Sequence, residues 1–362
     1  MSREEWADAV VPTIALRVVV LAFAALAVAV LRPDALGANP ILGIWDRWDA
    51  PHFFEVAANG YGPPTDPARI VLFPMYPLAI AFASVIASPL VAGMAISFAA
   101  TLTAAVGLHR LVRMDDARPA GRSAVIAMLV FPTAFAFVAP YSEALFLAFA
   151  VWSYVEARRG DWRGAGLLGA LAALTRLQGV FLLPALAVEY WLQRRRLDRD
   201  FGWVLFIASG LAVYLAINLH WFGNPLYFVG VQRDTFQVVN VMPWQALAGL
   251  WSGLTTTPPS EFWATVYLAP AMAFLALTAA TAWTVASRHS RPGYAVYAGI
   301  SLLSFLSLSW PISVPRYVLG VFPVFLAAGA AARRTGGVAV VAGSTLLLGL
   351  CTTLFVIGHW AF

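Results

Sequence analysis

The residues of this chain that could do chemistry arrive in five short strings: Trp45-Asp46-Arg47-Trp48-Asp49, Tyr141-Ser142-Glu143, Arg176-Leu177-Gln178, Gln232-Arg233-Asp234 and Pro315-Arg316-Tyr317. Asp49 is a candidate general base, able to take the proton of an acceptor hydroxyl. Arg176 and Arg316 could neutralise a phosphate leaving group, Arg316 bidentately. Each residue also has a plainer reading. Asp49 could cap a helix, Glu143 could cap a turn near Pro140, and Arg176 could snorkel from a helix end. Arg316 could be an interfacial anchor, and His52 a structural hydrogen-bond donor. Asp46 and Asp49, three apart, could form a metal pair, but no matching His or carboxylate cluster accompanies them. A base with cations for a phosphate suits transfer of a sugar carried on a polyprenyl phosphate, and requires neither a divalent metal nor another cofactor. No glycine-rich nucleotide loop is present, which argues against a nucleotide-sugar donor.

The elements that must position these residues are membrane helices. Of 362 residues, 61% are hydrophobic and 11% charged, against about a quarter charged in soluble domains. The basic balance of +5 comes from 23 arginines with no lysine, and it marks cytoplasmic loops before it marks nucleic acid. The single Cys351 excludes a disulfide framework. Apolar runs at 11–31, 90–109, 123–138, 141–157, 164–177, 179–192, 203–220, 264–286, 295–310, 316–332 and 338–359 each approach the ~20 residues of a span. The stretch 71–88 opens on Phe73-Pro74 and contains Pro77, which cannot continue a helix ladder. Treating it as re-entrant or interfacial leaves eleven crossings and puts the basic clusters at 110–122, 158–163, 194–199, 288–291 and 333–334 inside. Sixteen arginines then lie inside, six outside and Arg17 within the first span. Both long outer segments, 32–88 and 221–263, and all five polar strings share the outer face. The acidic segment Glu4-Glu5-Asp8 is a poor signal-peptide n-region, so the first run is expected to stay as a helix. Asp49 to Tyr61 reads as a short surface helix with Pro51 in its first turn and a stop at Asn59-Gly60. Trp221, Trp244, Trp251 and Trp263 read as an aromatic belt.

Several of these strings resemble the GPI mannosyltransferase 2 (PIG-V) family: Arg47-Trp48-Asp49-Ala-Pro-His52-Phe53 with Ala57 and Gly60-Tyr61, Phe73-Pro74-Met-Tyr-Pro77, and Pro140-Tyr-Ser-Glu143-Ala-Leu-Phe146. Thr175-Arg-Leu-Gln-Gly179, Phe222-Gly-Asn-Pro-Leu226 with Gln232, and Pro315-Arg-Tyr317 continue the match in order. The resemblance implies an all-α polytopic membrane protein of the GT-C glycosyltransferase fold. Residues 1–362 would form one integral membrane domain of about 11 transmembrane helices, with amphipathic or re-entrant helices in its outer catalytic loop. It implies an inverting mannosyltransferase that uses polyprenyl-phosphate mannose and a lipid-linked or glycolipid acceptor, with Asp49 as base. Arg176, Arg316, Tyr317 and Gln232 would bind the donor; Trp48, His52, Tyr61, Tyr141, Glu143, Gln178 and Asp46 would contact substrate or support the site. Gln178 departs from the asparagine associated with its motif. A short, lysine-free, alanine-rich chain reads as bacterial, where GPI is absent, so the expected acceptor is another cell-envelope glycan at the plasma membrane's extracytoplasmic face. Membrane lipids are expected partners, nucleic acid is not, and a partner subunit is left open. The alternatives are the same fold with arabinose or glucose on the carrier, or a polyprenyl-lipid flippase without chemistry.

Overall fold

The computed structural model describes residues 2–33, 41–115, 121–287, 290–333 and 337–362. Arg118, Arg288 and Arg334 of the basic clusters, and residues 34–40 of the first outer loop, lie outside them. Among the described residues the regular elements are helices, joined by turns and one isolated bridge between Asn240 and Leu308.

Proline decides much of the local geometry. A wide π-turn, Trp6–Val10, leads into the helix Val11–Leu31 just ahead of Pro12; a second, Ala264–Leu268, precedes Pro270 in the helix Ala269–Ala286. A proline lacks the N–H for the preceding turn and crowds its carbonyl, and the widened turn accommodates both faults. Among the described residues, five helices are long and apolar enough to cross a membrane: Arg3–Leu31, Pro89–Asp115, Phe201–Phe222, Glu261–Ala286 and Gly337–Ile357. The chain is an integral membrane protein.

Eleven full-length spans are not found among the described residues. Val314–Gly320 and Pro323–Ala332 are bent by 89° at their junction and make at most a sixth, broken span. The run 123–138 divides into the helix Gly121–Leu129 and a tight 3-10 turn, Ala134–Phe137, on either side of Pro132. The stretch 164–192 divides into Trp162–Thr175, a 3-10 turn Leu177–Phe181 and Leu182–Arg194. Thirteen or fourteen residues rise about 20 Å, short of the ~30 Å hydrocarbon core. The proline-rich stretch 71–88 folds as a nine-residue helix, Met75–Ala83, which rises only about 14 Å.

The helix Glu143–Arg159 runs through the middle of the molecule, packed against Pro89–Asp115 and Trp162–Thr175. Ala144, Phe146, Leu147, Ala150, Val151, Tyr154 and Val155 are all buried, as expected for a helix that is apolar all round. Charges stand only at its ends. Glu143 opens it and Arg158 closes it, about 22 Å apart along the axis.

Candidate functional site

Asp49, Tyr141, Ser142, Glu143, Arg176, Arg316 and Tyr317 come together from four segments distant in sequence. Arg316 is central. Its Nη1 lies 2.6 Å from the Asp49 carboxylate and its Nε 3.2 Å from Glu143 Oε1. The same Glu143 oxygen accepts from Arg176 Nη1 at 2.7 Å, which also donates to Ser142 Oγ at 3.0 Å. The Arg316 guanidinium lies 4.8 Å from the Tyr141 ring centre, and that of Arg176 lies 5.1 Å from Tyr317. Each cation is thus held by a carboxylate on one side and an aromatic face on another. Arg316, Glu143 and Tyr141 are buried, whereas the Asp49 side chain keeps 30% of its exposure. Arg316 Nε is buried without a well-formed hydrogen bond, an exception among buried polar atoms that asks for an explanation.

Local structure explains how each group is aimed. Asp49 is the first residue of the helix Asp49–Asn59, not its cap; Trp48 holds the cap position with φ +57°. A bulky residue in that region stores strain of about 1–3 kcal/mol, and here it turns the chain so that Asp49 faces Arg316. The helix stops at Gly60, whose φ of +71° suits glycine. Tyr141 is fixed at both ends: its carbonyl accepts from Ser97 Oγ at 3.3 Å, and its hydroxyl donates to the Arg47 carbonyl at 3.4 Å. Arg176 follows the end of Trp162–Thr175, and Gly179 lets the next turn fold back tightly, since a Cβ there would fall 2.2 Å from the Ala173 nitrogen. Thr133 Oγ1 donates to the Pro315 carbonyl at 2.9 Å, holding the turn that presents Arg316.

A closed crevice with no room for a water lies beside this group, lined by Trp48, Asp49, Tyr141, Arg316, Phe355, Trp360, Ala361 and Phe362. The sequence reading missed the last four. Phe355 and Cys351 lie on the buried face of Gly337–Ile357 and carry no signal beyond hydrophobicity; Trp360 is one tryptophan among 14. It also passed over Arg17, whose Nη1 donates to the Phe137 carbonyl at 2.6 Å and Nη2 to Met94 at 3.0 Å. Those bonds steady the turn leading to Tyr141. Arg17's signal was visible: a lone cation within an apolar span must find partners.

Other expected residues stand apart. Tyr61 is buried in a separate apolar cluster with Val56, Ile70, Tyr214 and Val231, and its hydroxyl donates to the Leu72 carbonyl. Gln232 lies on the helix Tyr227–Asp234 and Gln178 on the turn Leu177–Phe181; neither is a hydrogen-bond partner of the central group. Asp46 is exposed just past the turn Gly43–Trp45. His52, half-buried one turn after Asp49, is pushed below its ordinary pKa by burial and then by Arg69, which leaves it neutral at pH 7. Trp221, Trp244 and Trp251 are exposed, whereas Trp263 is half-buried and its Nε1 donates to the Leu254 carbonyl at 3.1 Å.

Over 159 residues, 40% of this chain and 31% of the relative, the sequence is 35% identical to GPI alpha-1,6-mannosyltransferase 2 of Mus musculus. With the Rattus norvegicus protein of the same name it shares 33% identity over 199 residues, 49% of this chain and 39% of the relative. Over part of its length the chain is similar to GPI alpha-1,6-mannosyltransferase 2 proteins. The match spans between 31% and 39% of the length of these curated relatives. No family model matches the chain. Among solved structures, ArnT from Cupriavidus metallidurans bound to undecaprenyl phosphate aligns over 99% of this chain and 78% of its own, at a TM-score of 0.41 and 16% identity.

Proposed function

We propose that this chain is an inverting membrane glycosyltransferase of the GT-C type, moving mannose from polyprenyl-phosphate mannose to a lipid-linked or cell-envelope glycan acceptor. One observation carries the reading: a partly exposed carboxylate, Asp49, is held against a buried guanidinium, Arg316, at the wall of a pocket. The likeness to the mannosyltransferases supports the same class.

The chemistry follows from those groups. A donor phosphate competes with Asp49 for Arg316 Nη1, and the displaced carboxylate is freed for the acceptor hydroxyl. Asp49 takes the hydroxyl proton as the acceptor oxygen attacks the anomeric carbon. The bond from that carbon to the phosphate oxygen breaks, and its electron pair stays on the phosphate. Arg316 and Arg176 neutralise the growing negative charge, in a buried setting where such contacts count for more than in water. Direct displacement inverts the anomeric centre. Guanidinium groups supply the electrophilic assistance, so the mechanism asks for no divalent metal. In this reading the site faces the extracytoplasmic side of a bacterial plasma membrane, where a polyprenyl tail remains in the lipid.

The test is transfer of radiolabelled mannose from polyprenyl-phosphate mannose to total membrane glycolipids by purified protein. Label should pass with the wild type and not with Asp49→Asn. Transfer at the wild-type rate by that variant rejects Asp49 as base. Transfer only from another polyprenyl-phosphate sugar keeps the reaction and changes the sugar.

A further inference from the structure

Trp360 belongs to the same pocket as Asp49, and nothing above assigns it a task. Its indole lies edge-on to Trp48, ring centres 5.2 Å apart at 86°. Its Nε1 is buried with no hydrogen-bond partner. Trp45 and Trp162 also bury an unpaired indole N–H, but of the three only Trp360 lines the Asp49 pocket. A buried donor left unmet is costly, and one in the pocket of a reactive carboxylate is placed to meet a ligand. The ligand must offer an acceptor atom to the N–H and an apolar face to the two rings. A pyranose does both, through its hydroxyls and through the C–H groups on one side of its ring.

Position favours the acceptor over the donor. Trp48 and Trp360 line one pocket with Asp49, where the acceptor hydroxyl gives up its proton, whereas Arg176, the second phosphate cation, stands outside that lining beside Glu143. Buried Ala361 and Phe362 fill the other side of the pocket. The segment carrying them turns at Gly358, φ +92°, and is fastened by His359 Nδ1 to Glu261 Oε1 at 2.6 Å, both side chains being half exposed.

Resting on the transferase reading above, we propose that Trp360 and Trp48 form the subsite for the acceptor's sugar ring, with Trp360 Nε1–H donating to one of its hydroxyls. Binding of octyl α-mannoside to the purified chain, followed by saturation-transfer NMR, tests it without turnover. Trp360→Phe keeps a ring and removes the donor, and should weaken binding about 10-fold, the measure of one hydrogen bond to a desolvated donor. Trp360→Ala should abolish measurable binding. Equal binding by the wild type and both variants overturns the subsite. In kinetics, Trp360→Phe should raise the acceptor KM and leave the donor KM unchanged; a raised donor KM overturns the assignment to the acceptor. Absence of transfer with every donor, alongside mannoside binding that Trp360→Phe weakens, would sink the transferase reading and leave the sugar subsite standing.

Discussion

Glu143 and Arg158 stand at opposite ends of one helix, and each gathers a group of charges that differs in how completely it is satisfied. At the Arg158 end, Glu189 accepts from Arg291 at 2.7 and 3.2 Å and from Gln193 at 2.8 Å, and lies 3.6 Å from Arg158 Nε. Asp115 bonds Arg158 and accepts from the Tyr294 hydroxyl at 2.6 Å. Glu189 is fully buried and Asp115 nearly so. Both carboxylates in this group are fully occupied. At the Glu143 end, Arg316 Nε lacks a good partner, Asp49 remains partly exposed with Arg316 as its ion-pair partner, and a pocket reaches both. Saturated buried ion pairs hold helices in register, and unsatisfied ones are where a ligand can be received. The same residue types therefore serve structure at one end and offer chemistry at the other.

The sharpest division between the two ends comes from Asp49→Asn. Initial rates of mannose transfer should fall about 10²–10⁴-fold, the range for loss of a general base, with thermal unfolding close to the wild type. Glu189→Ala should do the reverse. Removing one member of a buried pair costs about 3–5 kcal/mol, seen as a lowered unfolding midpoint in detergent, while the folded fraction keeps its kcat. A variant at Glu189 that lost kcat without losing stability would erase the distinction between the ends.

Glu143→Gln should show both effects, since Glu143 holds Arg176 and Arg316 together at 2.7 and 3.2 Å. The expected loss is about 1.5–3 kcal/mol of stability, typical of a hydrogen bond to a charged group, together with a raised donor KM. The smallest effect belongs to a surface pair that serves as a baseline. Glu55 accepts from the Asp66 backbone N–H at 3.0 Å and from Arg69 at 2.9 Å. These contacts, the backbone bond foremost, hold its carboxyl below the ordinary 4.5. Its contribution is therefore present above that value and lost as pH falls through the lower folded pKa. Glu55→Gln should cost about 0.2–1 kcal/mol at pH 7, with the difference from wild type shrinking in unfolding curves as pH falls through the lowered folded pKa.

Much of the site was legible because its residues are out of place in a membrane sequence. Asp49, Glu143, Arg176 and Arg316 were each conspicuous as charges at the edges of apolar runs, and the structure brings all four together. Gln232, Gln178 and Tyr61 were selected by the same criterion or by motif, yet they lie outside the group. A polar side chain on a loop reports only that something partners it, and for Tyr61 the partner is the Leu72 carbonyl. Among the described residues the eleven expected spans are not matched by eleven full-length helices, for a related reason. Hydropathy sums over a run regardless of direction, so it cannot tell a straight span from one folded at Gly179 or bent by 89° before Pro323.

Composition determined by itself that this chain is a helical membrane protein, and the charges at the edges of its apolar runs marked which ionisable groups needed an explanation. These are local properties: the cost of a charge in hydrocarbon acts wherever the chain goes. Only the tertiary structure decided that Glu143 bridges two arginines, that Asp49 pairs with Arg316 across more than 260 residues of sequence, and that Trp360 borders the same pocket. Such pairings depend on how bent and broken helices pack against one another, and the spacing of residues along a chain does not carry that information.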